Sequence, residues 1–472
     1  MAETNFIKSL NLFDSIAIVS GAMIGSGIFI VSSCIANDIK SPILLLAVWL
    51  IAGIMTLIGA LSYGEFAASL PYAGGQYVYI RKLYGELSGF LYGWMLFFVI
   101  QTASIGAVAL AFAKFAGILF PFISAKNHLI NLFGVGLSSQ QLLAIGLIIF
   151  LTYINCKGAR LAASIQNIVT STNIIALSGI IICGIFVSFK SNLLFENLFH
   201  TAIIPNLDMN ILSAIAISTV GALFAFDGWN NLTFIAAEIK NNEKTLPVAL
   251  LFGTGIVVFL YIFTNIVYLS VLSLSDIRHA HDGIVGATFM EHVFGTYGKV
   301  IISVIILISS FGCVNSMVLA GPRVIYAMAK DGLFFKSLSV LGEKSNAPEN
   351  SLFLQCLWSI VLVMSGSFSD LLDYLIFAAL LSYILTVGGL FIFRKKYPAI
   401  PRPYKAMGYP ILPLIYCVIG IFIEINLLIY KPNYTWPGVL IVLSGIPVYY
   451  IWKALARKPE IEQISQEIAE VE

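Results

Sequence analysis

Long apolar runs separated by short polar segments make up most of the chain. A helix needs roughly 20 apolar residues to span the hydrocarbon core of a bilayer. Twelve runs reach or approach this length, at residues 13–34, 42–70, 86–120, 138–155, 161–189, 209–237, 247–274, 298–329, 351–366, 368–392, 409–430 and 434–456. The ninth and tenth runs meet at residues 366–370, which are their only interruption, so eleven or thirteen helices remain alternatives. The pattern predicts an all-α integral membrane protein with twelve transmembrane helices.

Basic residues in the predicted loops set the expected orientation. With the N-terminus inside, nineteen Lys and Arg fall on the inner side and seven on the other side. Because basic residues concentrate in cytosolic loops, we expect both termini in the cytosol and a multi-pass protein in the inner (cytoplasmic) membrane. Residues 1–12 would form a cytosolic N-terminal segment and residues 457–472 a cytosolic tail. Apolar spacing at Ile461, Ile464 and Ile468 indicates a short helix or a frayed end in this tail.

Composition narrows the possible functions. Hydrophobic residues make up 59% of the chain and charged residues 11%, and the mean hydropathy is +0.93. A net charge of +2 with scattered basic residues does not indicate a nucleic-acid partner. The six cysteines show no CxxC spacing, and no HExxH motif is present, so we expect no metal, no cofactor and no enzyme. The sequence also lacks the charged filter segments typical of a channel.

Two of the apolar runs are interrupted by glycine and polar residues at membrane depth. The first contains GAMIGSGIFI, and the sixth contains GALFAFDGWNNLTF with Asp227 and Gly228. Close helix packing is one explanation for the small residues. Interruptions at matching places in two halves of a chain, however, are typical of transporters whose substrate sites lie between broken helices. We therefore predict that helices 1 and 6 are discontinuous.

The two interruptions supply groups of opposite polarity. Backbone amides at the start of a half-helix suit a carboxylate, and those expected here belong to Gly25, Ser26, Gly27 and Ile28. Carbonyls at the end of the other half-helix suit an ammonium group, and those expected here lie near Phe224, Ala225 and Phe226. A site with both polarities fits a zwitterion such as an α-amino acid.

The number of helices in each half predicts an inverted repeat. Residues 13–189 hold five runs and residues 209–392 hold five more, so the second set enters the membrane in the opposite direction. Residues 409–456 would add two further helices.

Five segments resemble the amino acid, polyamine and organocation (APC) superfamily, and within it the L-amino acid transporter-like branch. They are GAMIGSGIF, ALSYGEFAASLPYAGGQYVYIRKLYG, FAFDGWNNLTFIAAEIKNNEKTLPVA, GCVNSMVLAGPRVIYAMAKDG and RPYKAMGYPILP. The resemblance implies a LeuT-like 5+5 inverted-repeat fold. It implies a secondary active transporter that moves neutral L-amino acids by alternating access, as an exchanger. A polyamine or other organic-cation transporter and a proton-coupled amino acid symporter remain alternatives.

The resemblance also implies roles for individual residues. Ser26 and Gly27 would contact the substrate carboxylate, and carbonyls near Met23, Phe224 and Ala225 would receive its amine. Phe224 would be the gate that closes over the substrate. Further substrate-binding candidates are Gly25, Ile28, Phe226, Trp229, Asn230 and Asn315.

The sequence also gives expectations about ion coupling and about partner molecules. The resemblance implies that many bacterial members of this branch carry a lysine in the fifth helix where this chain has Asn173, so a neutral amide replaces a fixed cation here. Asn173, Glu65 and Asp227 are the coupling candidates. Animal relatives bond a partner chain through a cysteine after the third helix, and residues 121–138 contain none. We expect membrane lipid and the amino acid substrate as partners, and no disulfide-linked heavy chain.

Overall fold

Helices account for most of the described chain, and several begin with recognisable capping signals. The computed structural model describes residues 6–132, 135–189, 193–200, 210–365 and 368–469. Asn11 and Asp14 form a reciprocal capping box at the first helix, and Pro42 occupies the first turn of the third. Ser138 and Gln141 form a second capping box further along the chain.

The first half contains eight α-helices and one short hairpin. The helices are α1 Leu12–Met23, α2 Gly27–Ile39, α3 Pro42–Ser69, α4 Gln76–Tyr84, α5 Glu86–Met95, α6 Thr102–Leu119, α7 Ser139–Cys156 and α8 Ala159–Ser188. A π-helical segment, Leu96–Gln101, joins α5 to α6. Strands β1, His128–Leu132, and β2, Val135–Ser138, pair in antiparallel fashion.

The second half contains the remaining helices. These are α9 Leu193–Phe195, α10 Ile211–Ala225, α11 Asn231–Phe234, α12 Asn242–Val271, α13 Leu274–Arg278, α14 Val285–Phe294, α15 Tyr297–Lys330, α16 Glu349–Ser365, α17 Phe368–Lys396, α18 Ile411–Tyr430 and α19 Pro432–Ala469. A π-helical segment, Glu196–His200, follows α9. Short 3₁₀ segments lie at Ala236–Glu238, His281–Gly283 and Lys336–Ser339.

The prediction of a multi-pass, all-helical membrane protein is confirmed. Among the described residues, ten helical stretches are long and apolar enough to cross a membrane, with α1 and α2 counted together. Two shorter apolar helices, α10 and α16, match the sixth and ninth predicted runs. The ninth predicted run corresponds to α16 and the tenth to α17; residues 366–367, between them, lie outside the described residues.

The structure differs from the predicted pattern at two places. The loop before α7 forms the β1–β2 hairpin, which apolar-run analysis cannot detect because the strands are too short to span a bilayer. Helix α19 continues to Ala469, so the helix predicted in the tail is an extension of the last span rather than a separate element.

The two ends of the bundle are distinguished by their loops. We call the end that carries β1 and β2 the hairpin end, and the other the N-terminal end. Near the centre, α1 packs against α8, α12 and α15, while α2 packs against α10. The two interrupted spans, α1–α2 and α10–α11, therefore lie side by side within the bundle.

Candidate functional site

The first break separates α1 from α2 and is held open by three neighbouring side chains. Helix α1 ends at Met23, and α2 begins at Gly27. The carbonyl of Ala22 accepts a hydrogen bond from the Cys313 thiol at 3.1 Å. The Met23 carbonyl accepts from the Tyr261 hydroxyl at 2.9 Å, and the Ile24 carbonyl accepts from the Ser309 hydroxyl at 2.9 Å. Side chains of α12 and α15 thus replace the lost helical hydrogen bonds.

The start of α2 presents unsatisfied backbone amides. The first N–H groups of any helix have no acceptor within that helix. Ser26 is the N-cap of α2, and its side chain makes no capping hydrogen bond. Ser26 and Gly27 are both half-buried and line an open cavity. This end of α2 therefore carries partial positive charge where an anionic group can approach it.

The second break follows α10. Helix α10 ends at Ala225, and the next regular helix, α11, starts at Asn231. Gly228 adopts a φ of +95°, a conformation that glycine reaches without steric cost. The Phe224 carbonyl accepts the Asp227 amide at 3.1 Å, which ends the helix in a tight turn. The C-terminal end of α10 carries partial negative charge.

The two breaks are in direct contact. A Cβ atom placed on Gly27 would lie 2.9 Å from the Ala225 Cβ and 3.0 Å from its Cα. A Cβ on Gly228 would lie 3.1 Å from the Ala22 carbonyl oxygen. Because Gly27 and Gly228 have no side chains, the positive end of α2 and the negative end of α10 can lie in contact.

A cavity of about 630 Å³ leads from the hairpin end to these breaks. We call it the vestibule. At its inner part lie Ser26, Gly27 and Phe224, and at its outer part lie Lys114, Ala125, Ser138, Gln140 and Gln141. Phe224 is half-buried and forms part of the inner wall. The vestibule gives a solute a path to both breaks.

A polar network begins at Asp227, just past the vestibule. The Tyr383 hydroxyl donates to the Asp227 carboxylate at 2.5 Å and lies 3.3 Å from the side-chain carboxamide oxygen of Asn230. Asn230 donates to Gln76 at 3.0 Å, and the Tyr92 hydroxyl donates to the same Gln76 oxygen at 3.0 Å. Asp227 is thus connected through α17 to the α4 segment.

Two small cavities border Asp227. One, of about 30 Å³, is mostly apolar and includes Phe224, Trp229 and Tyr416 in its lining. The other, of about 20 Å³, has a mixed lining that includes the polar residues Gln101, Ser104 and Asn231 and apolar residues such as Leu96 and Met317. Each has room for about one water molecule.

Not every predicted substrate-binding residue reaches the vestibule. Ser26, Gly27 and Phe224 line it, while Met23, Gly25, Ile28 and Ala225 are buried at the breaks. Trp229 packs edge-on against Tyr63 with ring centroids 4.7 Å apart. Asn230 belongs to the polar network.

Phe226 and Asn315 lie away from the cavities described above. Phe226 is fully buried and packs against Trp49 and Tyr261, with ring centroids 5.6 and 5.0 Å apart. Asn315 donates to Gln166 at 2.8 Å and accepts from Asn155 at 3.2 Å, so it joins α15 to α8 and α7.

The coupling candidates occupy three different environments. Glu65 is buried and pairs with Arg394 at 2.6 Å and Arg402 at 3.5 Å. Asn173 is buried in α8, and its side-chain NH₂ has no acceptor among the described residues. Asp227 alone borders the small cavities next to the breaks.

The N-terminal end of the bundle is closed by ionic contacts. Arg323 and Glu238 are both buried and pair at 2.8 Å, joining α15 to the segment after α11. Asp331 pairs with Arg81 at 3.1 Å and accepts the Tyr77 hydroxyl at 2.9 Å. Burial and the nearby Asp331 carboxylate raise the pKa of Tyr77, so this phenol stays protonated as a donor.

Sequence reasoning missed the side chains that face the breaks from other helices. Gln101 is the last residue of the π-helical segment, Ser104 lies in the first turn of α6, and Tyr383 lies on α17. Gln101 and Ser104 are polar residues within the apolar third run, and this was the sequence signal that could have identified them. Nothing local to Tyr383 indicates that it reaches Asp227, because that contact spans 156 residues.

These features define a class of protein. Two adjacent interrupted spans, with opposite helix ends facing one open cavity, are the architecture of membrane transporters with discontinuous helices. Residues 10–451 match the family model described as amino acid permease, and the chain belongs to this family. Membership implies the LeuT-like fold.

Individual relatives agree with this assignment. The chain is 30% identical to the large neutral amino acids transporter small subunit 2 of Mus musculus over 457 residues, covering 96% of this chain and 82% of that protein. It is 32% identical to the serine/threonine exchanger SteT of Bacillus subtilis over 446 residues, covering 94% and 96%. It is 27% identical to the human b(0,+)-type amino acid transporter 1 over 455 residues, covering 95% and 88%. These relatives are transporters rather than enzymes.

Proposed function

We propose that this amino acid transporter exchanges neutral L-amino acids across the cytoplasmic membrane by alternating access. The observation that carries this proposal is the contact between the two breaks at the inner end of the vestibule. The amides at Ser26 and Gly27 would hold the carboxylate, and carbonyls at the end of α10 would receive the amine. The names of the mouse and Bacillus relatives support both neutral substrates and exchange.

Phe224 is proposed as the gate on the vestibule side. Its half-buried ring lies in the inner wall of the vestibule, one residue before the end of α10. Closure of this ring over the substrate, followed by opening of the N-terminal end, would complete alternating access. The cavity at the hairpin end and the ionic contacts at the N-terminal end fit an outward-facing state.

We further propose that residues 13–189 and 209–392 form the two inverted repeats, with residues 409–456 as additional helices. Each half begins with an interrupted span, which supports this division. The hairpin end would face outside and both termini the cytosol, as the basic residues predict. The protein would act without a disulfide-linked heavy chain, since residues 121–138 contain no cysteine.

The contacts of Asp227 and Glu65 argue against the two alternatives, polyamine transport and proton-coupled symport. A polyamine carrier requires a carboxylate that faces its cationic substrate, but the Asp227 carboxylate already accepts the Tyr383 hydroxyl. Glu65 is engaged by Arg394 and Arg402, which favours a structural role over proton transfer. Asn173 offers no fixed charge. Exchange without ion coupling is therefore the proposed mode.

The test is uptake of a radiolabelled neutral amino acid into liposomes that contain the purified protein. We expect uptake to depend on amino acid inside the liposome and to be insensitive to sodium and to a pH step. Empty liposomes are the control. Uptake that proceeds equally with no internal amino acid, or that requires either gradient, would contradict the exchange mechanism.

A further inference from the structure

A single charged side chain lies in the wall of the vestibule. Among the described residues that line this cavity, Lys114 alone carries a charge, and it lies at the outer part. The side chain is exposed, and no described residue forms an ion pair or a hydrogen bond with its ammonium group. The positive charge of Lys114 is therefore not neutralised by a neighbouring carboxylate.

The protein segments around Lys114 contain no acidic residue. No Asp or Glu occurs in residues 87–195, a stretch that includes α6, the β1–β2 hairpin and α7. The other polar side chains at the outer part of the vestibule, Ser138, Gln140 and Gln141, are neutral. The electrostatic potential in this part of the vestibule is therefore positive, and Lys114 is its main source.

Lys114 lies on the path from the hairpin end to the two breaks. Ala107, Ala111 and Lys114 all line the vestibule, and their spacing of four and three residues puts them on one face of α6. Seven residues of α-helix rise about 10 Å. A unit charge acts over this distance, because the Debye length is roughly 10 Å at an ionic strength of 0.1 M and apolar walls focus the field in a cavity.

We propose that Lys114 is a charge filter, which hinders cationic amino acids and polyamines from entering the vestibule and admits zwitterions. A cation has a net positive charge, so Lys114 repels it along the whole path. A zwitterion has no net charge and can turn its carboxylate toward the ammonium group. The partial positive charge at the start of α2 acts in the same direction at the inner end. Lys114 is thus a specificity-determining residue, and this role in transport rests on the proposed function.

The filter is measured by the rate at which charged reagents reach the inner end of the vestibule. Ser26→Cys places a thiol there with a small change in size, because Ser26 lines the vestibule. The purified protein is treated with a cationic or an anionic methanethiosulfonate; the thiolate attacks the reagent sulfur, forms a mixed disulfide and releases methanesulfinate. Mass spectrometry follows modification at position 26 separately from the native cysteines. The measured quantity is the ratio of the cationic to the anionic rate constant.

Lys114→Met, added to Ser26→Cys, should raise this ratio by roughly tenfold, because the cationic reagent is no longer repelled and the anionic reagent no longer attracted. Lys114→Arg keeps the charge and should keep the ratio. In about 1 M salt, where the Debye length is about 3 Å, the ratios with and without Lys114→Met should converge. Lys40→Met is the matched control, because Lys40 is an exposed lysine that follows α2 and does not line the vestibule.

The effect on substrate choice is measured in liposomes by inhibition of labelled amino acid uptake with external norleucine or lysine. These two compounds share a four-carbon stem and differ by the terminal ammonium group. Lys114→Glu should strengthen inhibition by lysine relative to norleucine by roughly tenfold. Lys40→Glu should leave this relative inhibition unchanged.

The two measurements separate the filter from the transporter function. An unchanged reagent ratio in Lys114→Met, or an equal rise in Lys40→Met, would overturn the filter whatever the protein transports. A raised reagent ratio with unchanged relative inhibition by lysine would overturn the role of Lys114 in specificity. A parent that carries no amino acid would overturn the proposed function and that role with it, while the reagent rates would still decide whether Lys114 filters charge.

Discussion

Single glycines determine how closely the two interrupted spans approach. Gly27 lies against the backbone of Ala225, so even one added methyl group meets atoms at 2.9–3.0 Å. Gly25 lies only two residues earlier, but a Cβ there would sit 3.5 Å from the Cys313 sulfur, an ordinary contact. Neighbouring glycines in the same motif thus have different structural requirements.

We expect Gly27→Ala to destabilise the protein by about 1–3 kcal/mol, because overpacking forces the helix ends apart. Gly25→Ala, the matched control, should leave stability nearly unchanged. Thermal unfolding of the purified variants measures the difference. Equal melting temperatures for the two variants would contradict the close approach between α2 and α10.

At the scale of elements, the N-terminal end depends on one buried ion pair. Arg323 of α15 is fully buried and contacts Glu238, which follows α11. The backbone of Glu238 also accepts hydrogen bonds from the amides of Ser9 and Leu10. This pair therefore joins the second broken span, α15 and the N-terminal segment at a single point.

Glu238→Gln should destabilise the protein by about 3–5 kcal/mol, because it leaves the Arg323 charge buried without its partner. Glu86→Gln is the control: Glu86 pairs with Lys453 at 2.9 Å, but both side chains are more than 40% exposed. An exposed pair contributes about 0–1 kcal/mol. Similar losses of thermal stability in the two variants would show that burial of the Arg323–Glu238 pair does not matter.

For the whole molecule, the sequence predicts the helices better than it predicts the site. Hydrophobic runs identify the spans because each must cover the same bilayer thickness with apolar residues. The breaks at Gly25–Gly27 and Gly228 were also predictable, since glycine and polar residues interrupt otherwise apolar segments. The helical spacing of Ile461, Ile464 and Ile468 also indicated a helix near the C-terminus, but it did not indicate that this helix continues α19 without a break.

The cavity walls show why the rest of the site required a structure. The Tyr383–Asp227 contact and the small cavity lined by Gln101, Ser104 and Asn231 depend on how α6, α11 and α17 pack together. Such packing brings together residues more than 100 positions apart, and no local pattern encodes it. Phe226 is the opposite case. It lies inside the motif that predicted the site, but its side chain packs against Trp49 and Tyr261.

The central claim is that a neutral amino acid binds where the start of α2 meets the vestibule, and ligand-dependent thermal stabilisation tests it most directly. The parent should be stabilised by a saturating neutral amino acid, by about 2.7 kcal/mol at one hundred times Kd. Ser26→Leu should lose this stabilisation, because Ser26 lines the vestibule and a larger side chain there would cover the free amides.

Cys34→Leu, which places the same side chain at an exposed position on α2, is the control and should respond like the parent. Full stabilisation of Ser26→Leu by the amino acid would place the binding site elsewhere and contradict the account.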